Sequence, residues 1–395
     1  MEYVPFLKRR YNEKNITEKY AQIFSDPDTI HLNFKIHNNP AFIVPCGELY
    51  KKMLAIYKLK NDVCLLRSGL PGAAVEQFTR SCLIDEIVLT NDIEGVSSTR
   101  REIRDVLESD KEKKKIRFRG LVNKYQKLQG DEIVQIQCCE DIRAIYDELV
   151  LDEVLDENKG NVPDGKIFRK DSVSVESGGG KEIHRGVYPE SEIISAMENA
   201  LFFLNNDSPE PLIRISGFHY LFGYIHPFYD GNGRTSRFIS SYLLSRELDP
   251  LIGYRLSYTI KEHLNEYYTA FKICNDIYNL GDMTPFVITF LEILREAMEQ
   301  LKNALQEREN QLRHYDMKIR EHALLRTEKN YTLTYLLLQA SLFSEGGINT
   351  QELLGLLGMS RTTLRERLED LGQYVVSHKE GRIIYYKLNL NALQS

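Results

Sequence analysis

The chain has 395 residues, 42% hydrophobic and 27% charged, with a net charge of −6. That length allows two or three domains with a buried core, and the mildly acidic balance supplies no bulk attraction for nucleic acid. Six scattered cysteines without a CxxC pair suggest neither a zinc site nor a disulfide framework; no apolar run is long enough to span a bilayer and the N-terminus lacks a secretory pattern. The expectation is a cytoplasmic protein with reduced thiols and no membrane partner.

Residues 1 to about 70 show no clear periodicity. From Ala73 to Leu89 the apolar positions Val75, Phe78 and Cys82 predict a helix with one buried face, ended near Glu94-Gly95 by a glycine cap. Thr99 and Glu102 have the spacing of a capping box and open a second helix that buries Ile103, Val106 and Leu107. The basic run Lys111 to Arg119 reads as a solvated helix end or loop. Val173 and Val175 alternate with polar residues before Gly178-Gly179-Gly180, which predicts a β-hairpin in an otherwise helical chain. Helices follow from about Ser191 and from about Ser208. The second buries Leu212, Ile215, Phe218, Phe222 and Ile225 and delivers the chain to His226; His219 on it reads as structural. Phe238, Ile239, Tyr242 and Leu243 continue as a buried helix. Pro285 precedes a long helix in which Leu294, Met298, Leu301, Leu305, Leu312, Tyr315 and Ile319 follow three-four spacing, a connecting helix or short coiled-coil seam.

Between the buried helices lies His226-Pro227-Phe228-Tyr229-Asp230-Gly231-Asn232-Gly233-Arg234-Thr235-Ser236-Arg237. Gly231, Asn232 and Gly233 let successive N–H groups converge at a helix N-terminus, a place for phosphate. Arg234 and Arg237 are three apart, share a helix face and offer planar forks for phosphate oxygens. Asp230 beside the nest is a Mg²⁺ ligand candidate, and His226 a general-base candidate for a hydroxyl. The chemistry is transfer of a phosphorus group from a nucleotide; the spacing is not that of a P-loop.

The segment resembles the Fic family signature HPFx(D/E)GNGRxxR at every defining position, and the resemblance covers about residues 90 to 290. It implies a protein adenylyltransferase that moves AMP from ATP to a Ser, Thr or Tyr hydroxyl of a target protein. It implies His226 as general base, Asp230 as Mg²⁺ ligand and Gly231, Asn232 and Gly233 as the α-phosphate anion hole. Arg234 and Arg237 would hold the outer phosphates, with Thr235 and Ser236 counted among the nucleotide-binding residues. Tyr268 and Asn275 match positions that the family places around the adenine. Thr90 to Gly95 resembles the family's inhibitory pattern (S/T)xxxE(G/N): Glu94 would pair with Arg237 and take the place the γ-phosphate needs. The hairpin around Val173–His184 resembles the family's flap, whose strand edge would hold a target segment.

The tail, with a helix Gln351–Leu357, a turn at Gly358-Met359-Ser360, a helix Arg361–Leu371 and a strand pair around Glu380-Gly381, reads as a winged helix-turn-helix. Arg361, Thr362, Thr363, Arg365, Arg367, Lys379 and Arg382 would face a groove. Residues 331–395 nevertheless hold six basic and six acidic side chains, so DNA is not favoured over a protein-interaction or dimerisation role, a homodimer included. The predicted fold is mainly α: an N-terminal helical region with the inhibitory helix (1–109), a Fic-type helical bundle with a β-hairpin flap (110–285), a connecting helix (286–329) and a winged helix (330–395). The alternatives are a DNA-binding regulator whose Fic core senses nucleotide, or transfer of another phosphate-containing group.

Overall fold

The computed structural model describes residues 3–12, 15–109, 116–130, 132–176, 182–381 and 383–393. Lys111 to Lys115 of the basic run, Gly178-Gly179-Gly180 of the hairpin and Arg382 of the wing lie outside the described residues. The fold is mainly helical with small antiparallel sheets. It divides into two compact units, one formed by Met1–Lys60 with Ile84–Met298 and the other by Asn61–Leu83 with Glu299–Ser395. The units interleave along the chain.

In the first unit, α1 (Phe6–Asn12) and α2 (Ile16–Phe24) precede a hairpin of β1 (Ile30–Ile36) and β2 (Asn39–Ile43). The stretch without clear periodicity therefore holds a strand pair. Leu32, Phe34 and Ile36 alternate into the core, and His37 at φ 54° makes the turn. Helix α3 (Gly47–Gly69) contributes its residues up to Lys60, and α4 (Gly72–Ile93) those from Ile84. The box at Thr99 is formed in both directions and opens α5 (Arg100–Glu108). Helices α6 (Arg119–Gln126), α7 (Cys139–Leu149) and α8 (Leu151–Glu157) follow. The expected hairpin is present as β3 (Ser174–Glu176) paired with β4 (Glu182–Arg185), Ser174 opposite Arg185.

Helices α9 (Glu190–Asn205), α10 (Pro211–Ile225) and α11 (Asn232–Glu247) form the centre. Leu212, Ile215, Phe218, Leu221 and Ile225 are buried on several sides of α10, as expected of a helix enclosed by others. Its neighbours are α9 and α11, so the loop between α10 and α11 hangs from two rigid ends. Helices α12 (Pro250–Gly253), α13 (Leu256–Glu262) and α14 (Leu264–Cys274) complete the shell, with the start of α15 (Thr284–Glu321).

In the second unit, the rest of α15 accompanies α16 (Glu328–Phe343), β5 (Ile348–Asn349), α17 (Thr350–Leu357), α18 (Arg361–Leu371), β6 (Val375–Glu380) and β7 (Ile383–Leu388). The sheet order is β5-β7-β6, antiparallel throughout. Asn349 and Glu352 cap α17 reciprocally, Gly358 ends it at φ 60°, and Ser360 caps α18. Phe78 packs edge-on against Phe343 with Arg308 over its ring. Among the described residues no disulfide joins any of the six cysteines. Among the described residues no helix is long and apolar enough to cross a membrane.

Candidate active site

Phe228 is fully buried, stacked on Tyr146 at 3.7 Å with Phe168 edge-on at 5.5 Å. This aromatic anchor fixes the middle of the loop between α10 and α11. Asn232 closes it: its amide donates to the Phe228 carbonyl at 2.8 Å and its carbonyl oxygen accepts from the Phe228 N–H at 2.9 Å. Gly231 sits at φ 78°, and a Cβ there would press within 2.9 Å of Val150 and 3.1 Å of Tyr146, so both conformation and space demand glycine. The three residues named as an anion nest thus form a turn at the N-terminus of α11, where main-chain N–H groups and the helix dipole favour an anion.

Arg234 is wholly buried, and all three of its guanidinium nitrogens lack a hydrogen-bond partner among the described residues. Its nearest carboxylate is Asp230, at 3.8 Å. The buried Tyr146 hydroxyl, which interacts electrostatically with both, is also without a partner among the described residues. A buried cation with five unused donors carries a large desolvation cost that an anion offsets.

Arg237 is engaged. Its Nε donates to the Thr90 hydroxyl at 2.8 Å, one terminal nitrogen donates to the Thr90 carbonyl at 2.9 Å, and the other stands 2.8 Å from a Glu94 carboxylate oxygen. The same carboxylate lies over Gly233, where an added Cβ would collide with it. Glu94 therefore stands between the nest and Arg237, at the C-terminal end of α4, where Gly95 turns the chain at φ 75°.

His226 ends α10 in the left-handed region at φ 52°. Its ordinary value of 6.5 is lowered to about 4, by burial first and then by the charges of Arg169 and His184; Glu94 and a hydrogen bond to the Gly223 main chain act the other way and are outweighed. The sequence places this base near neutrality. The structure makes it a weaker base that is uncharged, and so able to accept a proton, at neutral pH. His219 is structural as expected, its ring bonded to the Ser240 and Tyr267 hydroxyls at 2.7 Å each and its value lowered to about 3 by burial.

Thr235 and Ser236 are buried. The Thr235 hydroxyl donates to the Gly231 carbonyl at 2.9 Å, and the Ser236 hydroxyl lies 3.2 Å from the His219 ring. The Asn275 side chain accepts from the Tyr220 hydroxyl at 2.7 Å. Tyr268 is partly exposed, rests against Tyr267 and feels the charges of Glu94 and Arg237. Sequence reading missed Arg169 and Tyr146, which lie 57 and 80 or more residues before the loop they serve; isolated residues of this kind carry no local pattern. For a metal, no group of three or more His, Cys, Asp or Glu side chains able to hold one occurs among the described residues. Beside the nest the Glu94 carboxylate is engaged by Arg237, while Asp230, 35% exposed, accepts the Gly231 N–H and offers the second carboxylate. One hard oxygen donor fits Mg²⁺, which takes its other ligands from phosphates and water.

Residues 137–244 match the model of the Fic/DOC family. The protein adenylyltransferase Fic of Culex quinquefasciatus is 34% identical over 124 residues, 31% of this chain and 22% of that protein. That of Drosophila virilis is 31% identical over 145 residues, 35% of this chain and 27% of that protein. The match thus spans about a quarter of the length of these relatives. A crystal structure of a Fic family protein from Desulfovibrio desulfuricans G20 superposes with a TM-score of 0.51 at 21% identity, covering 85% of this chain and 96% of that one, a likeness of fold. Residues 137–244 are thus similar to the Fic/DOC family, and the matched segment is distantly related to protein adenylyltransferase Fic.

Proposed function

We propose that this protein is a self-inhibited adenylyltransferase that moves AMP from ATP to a Ser, Thr or Tyr hydroxyl of a target protein, and of itself. The observation that carries the reading is Arg234, a buried guanidinium on the first turn of α11 with no hydrogen-bond partner among the described residues and only Asp230 as a loose ion partner at 3.8 Å. Fic family proteins typically use ATP. In the reaction His226 takes the proton of the incoming hydroxyl, whose oxygen forms a bond to the α-phosphorus. The bond from that phosphorus to the bridging oxygen breaks, and pyrophosphate leaves with the electron pair. The N–H groups of Gly231, Asn232 and Gly233 oppose the charge that develops on the α-phosphate, while Arg234 and Arg237 hold the outer phosphates. Asp230 would hold Mg²⁺, which neutralises phosphate charge when bound.

Glu94 is the brake in this reading. Its carboxylate satisfies Arg237 and covers Gly233, so a triphosphate meets a negative charge where its terminal phosphate belongs. Misalignment of about 1 Å costs on the order of a hundredfold in rate. Tyr268, at the edge of the same charges, is the adenine-side candidate; the Asn275 amide, bonded to Tyr220, contributes by bracing that helix. The β3–β4 hairpin is the target-docking flap, as a strand edge pairs with any extended segment.

We read the second unit as a winged helix-turn-helix that binds protein. Its sheet order and the capped α17–α18 pair support the first part. The second rests on charge balance: residues 331–395 hold six basic and six acidic side chains and Arg365 pairs with Glu369 at 3.3 Å, so the unit has no net positive excess for a phosphate backbone. The deciding experiment is incubation of Glu94→Gly with labelled ATP and Mg²⁺, followed by mass spectrometry. AMP added to the protein or to a lysate protein is expected; no affinity for any nucleoside triphosphate would overturn the reading.

A further inference from the structure

This inference rests on the transfer reaction proposed above and concerns what aims His226. The left-handed conformation of a non-glycine residue is strained and persists only where the surroundings hold it. The His226 N–H donates to the Phe222 carbonyl at 2.9 Å. Its own carbonyl accepts from Nε of Arg169 at 3.0 Å. Arg169 is fully buried, and its described partners are all main-chain carbonyls: those of His226, of Asp171 and, at 2.8 Å, of Val187. Asp171 leads into β3 and Val187 leaves β4, so one side chain ties both feet of the hairpin to the carbonyl of the base.

The surrounding bonds reinforce that tie. The Arg169 N–H donates to the Pro227 carbonyl at 3.2 Å and the Val187 N–H to the Ile225 carbonyl at 3.0 Å. The Tyr229 hydroxyl accepts from the Asp171 N–H and donates to the Asp164 carboxylate, 3.0 Å each. The turn that presents Arg169 is wound around the Glu190 carboxylate, which accepts from the N–H groups of Lys166, Ile167 and Phe168 at 3.0, 2.8 and 3.0 Å. Gly186 leaves room for the guanidinium: a Cβ there would stand 2.5 Å from an Arg169 terminal nitrogen and 3.0 Å from the His226 Cβ.

We infer that Arg169 is a positioning residue for His226, a clamp on main-chain carbonyls that holds the imidazole in its acting orientation and makes that orientation depend on both feet of the flap. Three carbonyls in fixed directions match the rigid fork of arginine and not the single ammonium of lysine. The charge acts as well. Arg169, from the loop before β3, and His184, from β4, disfavour a proton on His226, whereas Glu94, just past the end of α4, favours it; Asp230 shares the loop of His226.

The test uses the full-length Glu94→Gly protein as parent and adds Arg169→Met, Arg169→Lys or Gly186→Ala. Self-adenylylation is followed from pH 5 to 9 at saturating ATP, ATP affinity by calorimetry, and the His226 ring by NMR titration. Arg169→Met is expected to slow transfer about 10- to 100-fold, to leave ATP affinity unchanged, and to move both the acid limb and the ring titration upward toward the ordinary histidine value. Arg169→Lys should leave the titration low and recover only part of the rate. Gly186→Ala, which changes no charge, should slow transfer without moving the acid limb. Parental rate and titration in Arg169→Met would overturn the inference, as would ATP affinity falling in step with rate. If Arg169→Met does not fold, parental rates in both other variants overturn it. A parent that transfers nothing counts against the proposed function, and the ring titration then decides the role of Arg169 by itself.

Discussion

Arg237 and Arg234 lie one turn apart on α11, and their guanidinium groups are treated oppositely: Arg237 has Glu94 at 2.8 Å and both oxygens of Thr90, whereas Arg234 has no hydrogen-bond partner among the described residues. On the proposed reading, one anion site is filled from within the chain and its neighbour receives the ligand. The asymmetry yields distinct expectations for the two halves of the site.

Removing the internal anion should release the enzyme. Glu94→Gly is expected to raise the initial rate of self-adenylylation on the order of a hundredfold, read as AMP incorporated from labelled ATP with Mg²⁺. Arg237 keeps its two bonds to Thr90 but loses the ion partner of a buried guanidinium, so the melting temperature should fall by roughly 2–8 °C. A folded variant with an unchanged rate would show that Glu94 does not restrain the reaction.

Loss of the base should separate chemistry from binding. His226→Ala in the Glu94→Gly background is expected to lower transfer by ~10²–10⁴ while calorimetry still detects ATP. The depressed value of about 4 means that the imidazole is in its proton-accepting form throughout the physiological range. Transfer in the parent should therefore persist at pH 6, below the ordinary value of 6.5, where a surface histidine would be largely protonated.

Arg234→Met should trade function for stability. It removes a buried cation whose donors have no hydrogen-bond partner among the described residues, so the melting temperature is expected to rise by roughly 2–4 °C. The same change removes charge-assisted bonds to phosphate worth about 1.5–3 kcal/mol each, so ATP should bind at least ~10-fold more weakly. Parallel thermal melts with and without ATP check both; a variant that is less stable and binds ATP normally would contradict the assignment.

Glu86 gives a pH test of the first unit. It is completely buried, accepts the Ser257 N–H at 2.8 Å and the Ser257 hydroxyl at 2.6 Å, and is raised from 4.5 to about 7 by burial, with Arg237 and Arg255 pulling it down in part. A raised carboxyl favours the folded state fully below pH 4.5, and that contribution disappears as pH rises through 7. Glu86→Gln, which cannot ionise, should melt like the wild type at pH 4.5 and roughly 2–5 °C higher at pH 8. Equal melting temperatures at pH 8 would show that ionising Glu86 costs the fold nothing.

The legible parts of this chain were those in which one short segment carries its own cause. The box at Thr99, the glycine ends of α4 and α17, the β3–β4 hairpin and the α10–α11 loop are local patterns, and the structure has them. The pairing of Glu94 with Arg237 joins positions 143 apart and was reached through the family resemblance, since no spacing rule links them. Arg169 and Tyr146 were invisible because their meaning is where the chain returns. The β1–β2 hairpin carried a readable alternation at Leu32, Phe34 and Ile36, obscured by the polar residues around it. The depressed value of His226 could not be read either, because it depends on charges from three separate elements.

Thr90, in the last turn of α4, and Glu94, just past its end, grip Arg237 together. If Glu94 is the brake proposed above, whatever signal lifts it faces a constraint: carrying α4 away as a body would strip the arginine of its brace together with its gag, and leave it unaimed. Relief by a local swing just past the helix end, pivoting where Gly95 already bends, preserves the receptor while opening it. The activating event should accordingly be sought in something that tugs the 94–99 connection, and its energetic demand is that of one ion pair rather than of an undocked helix.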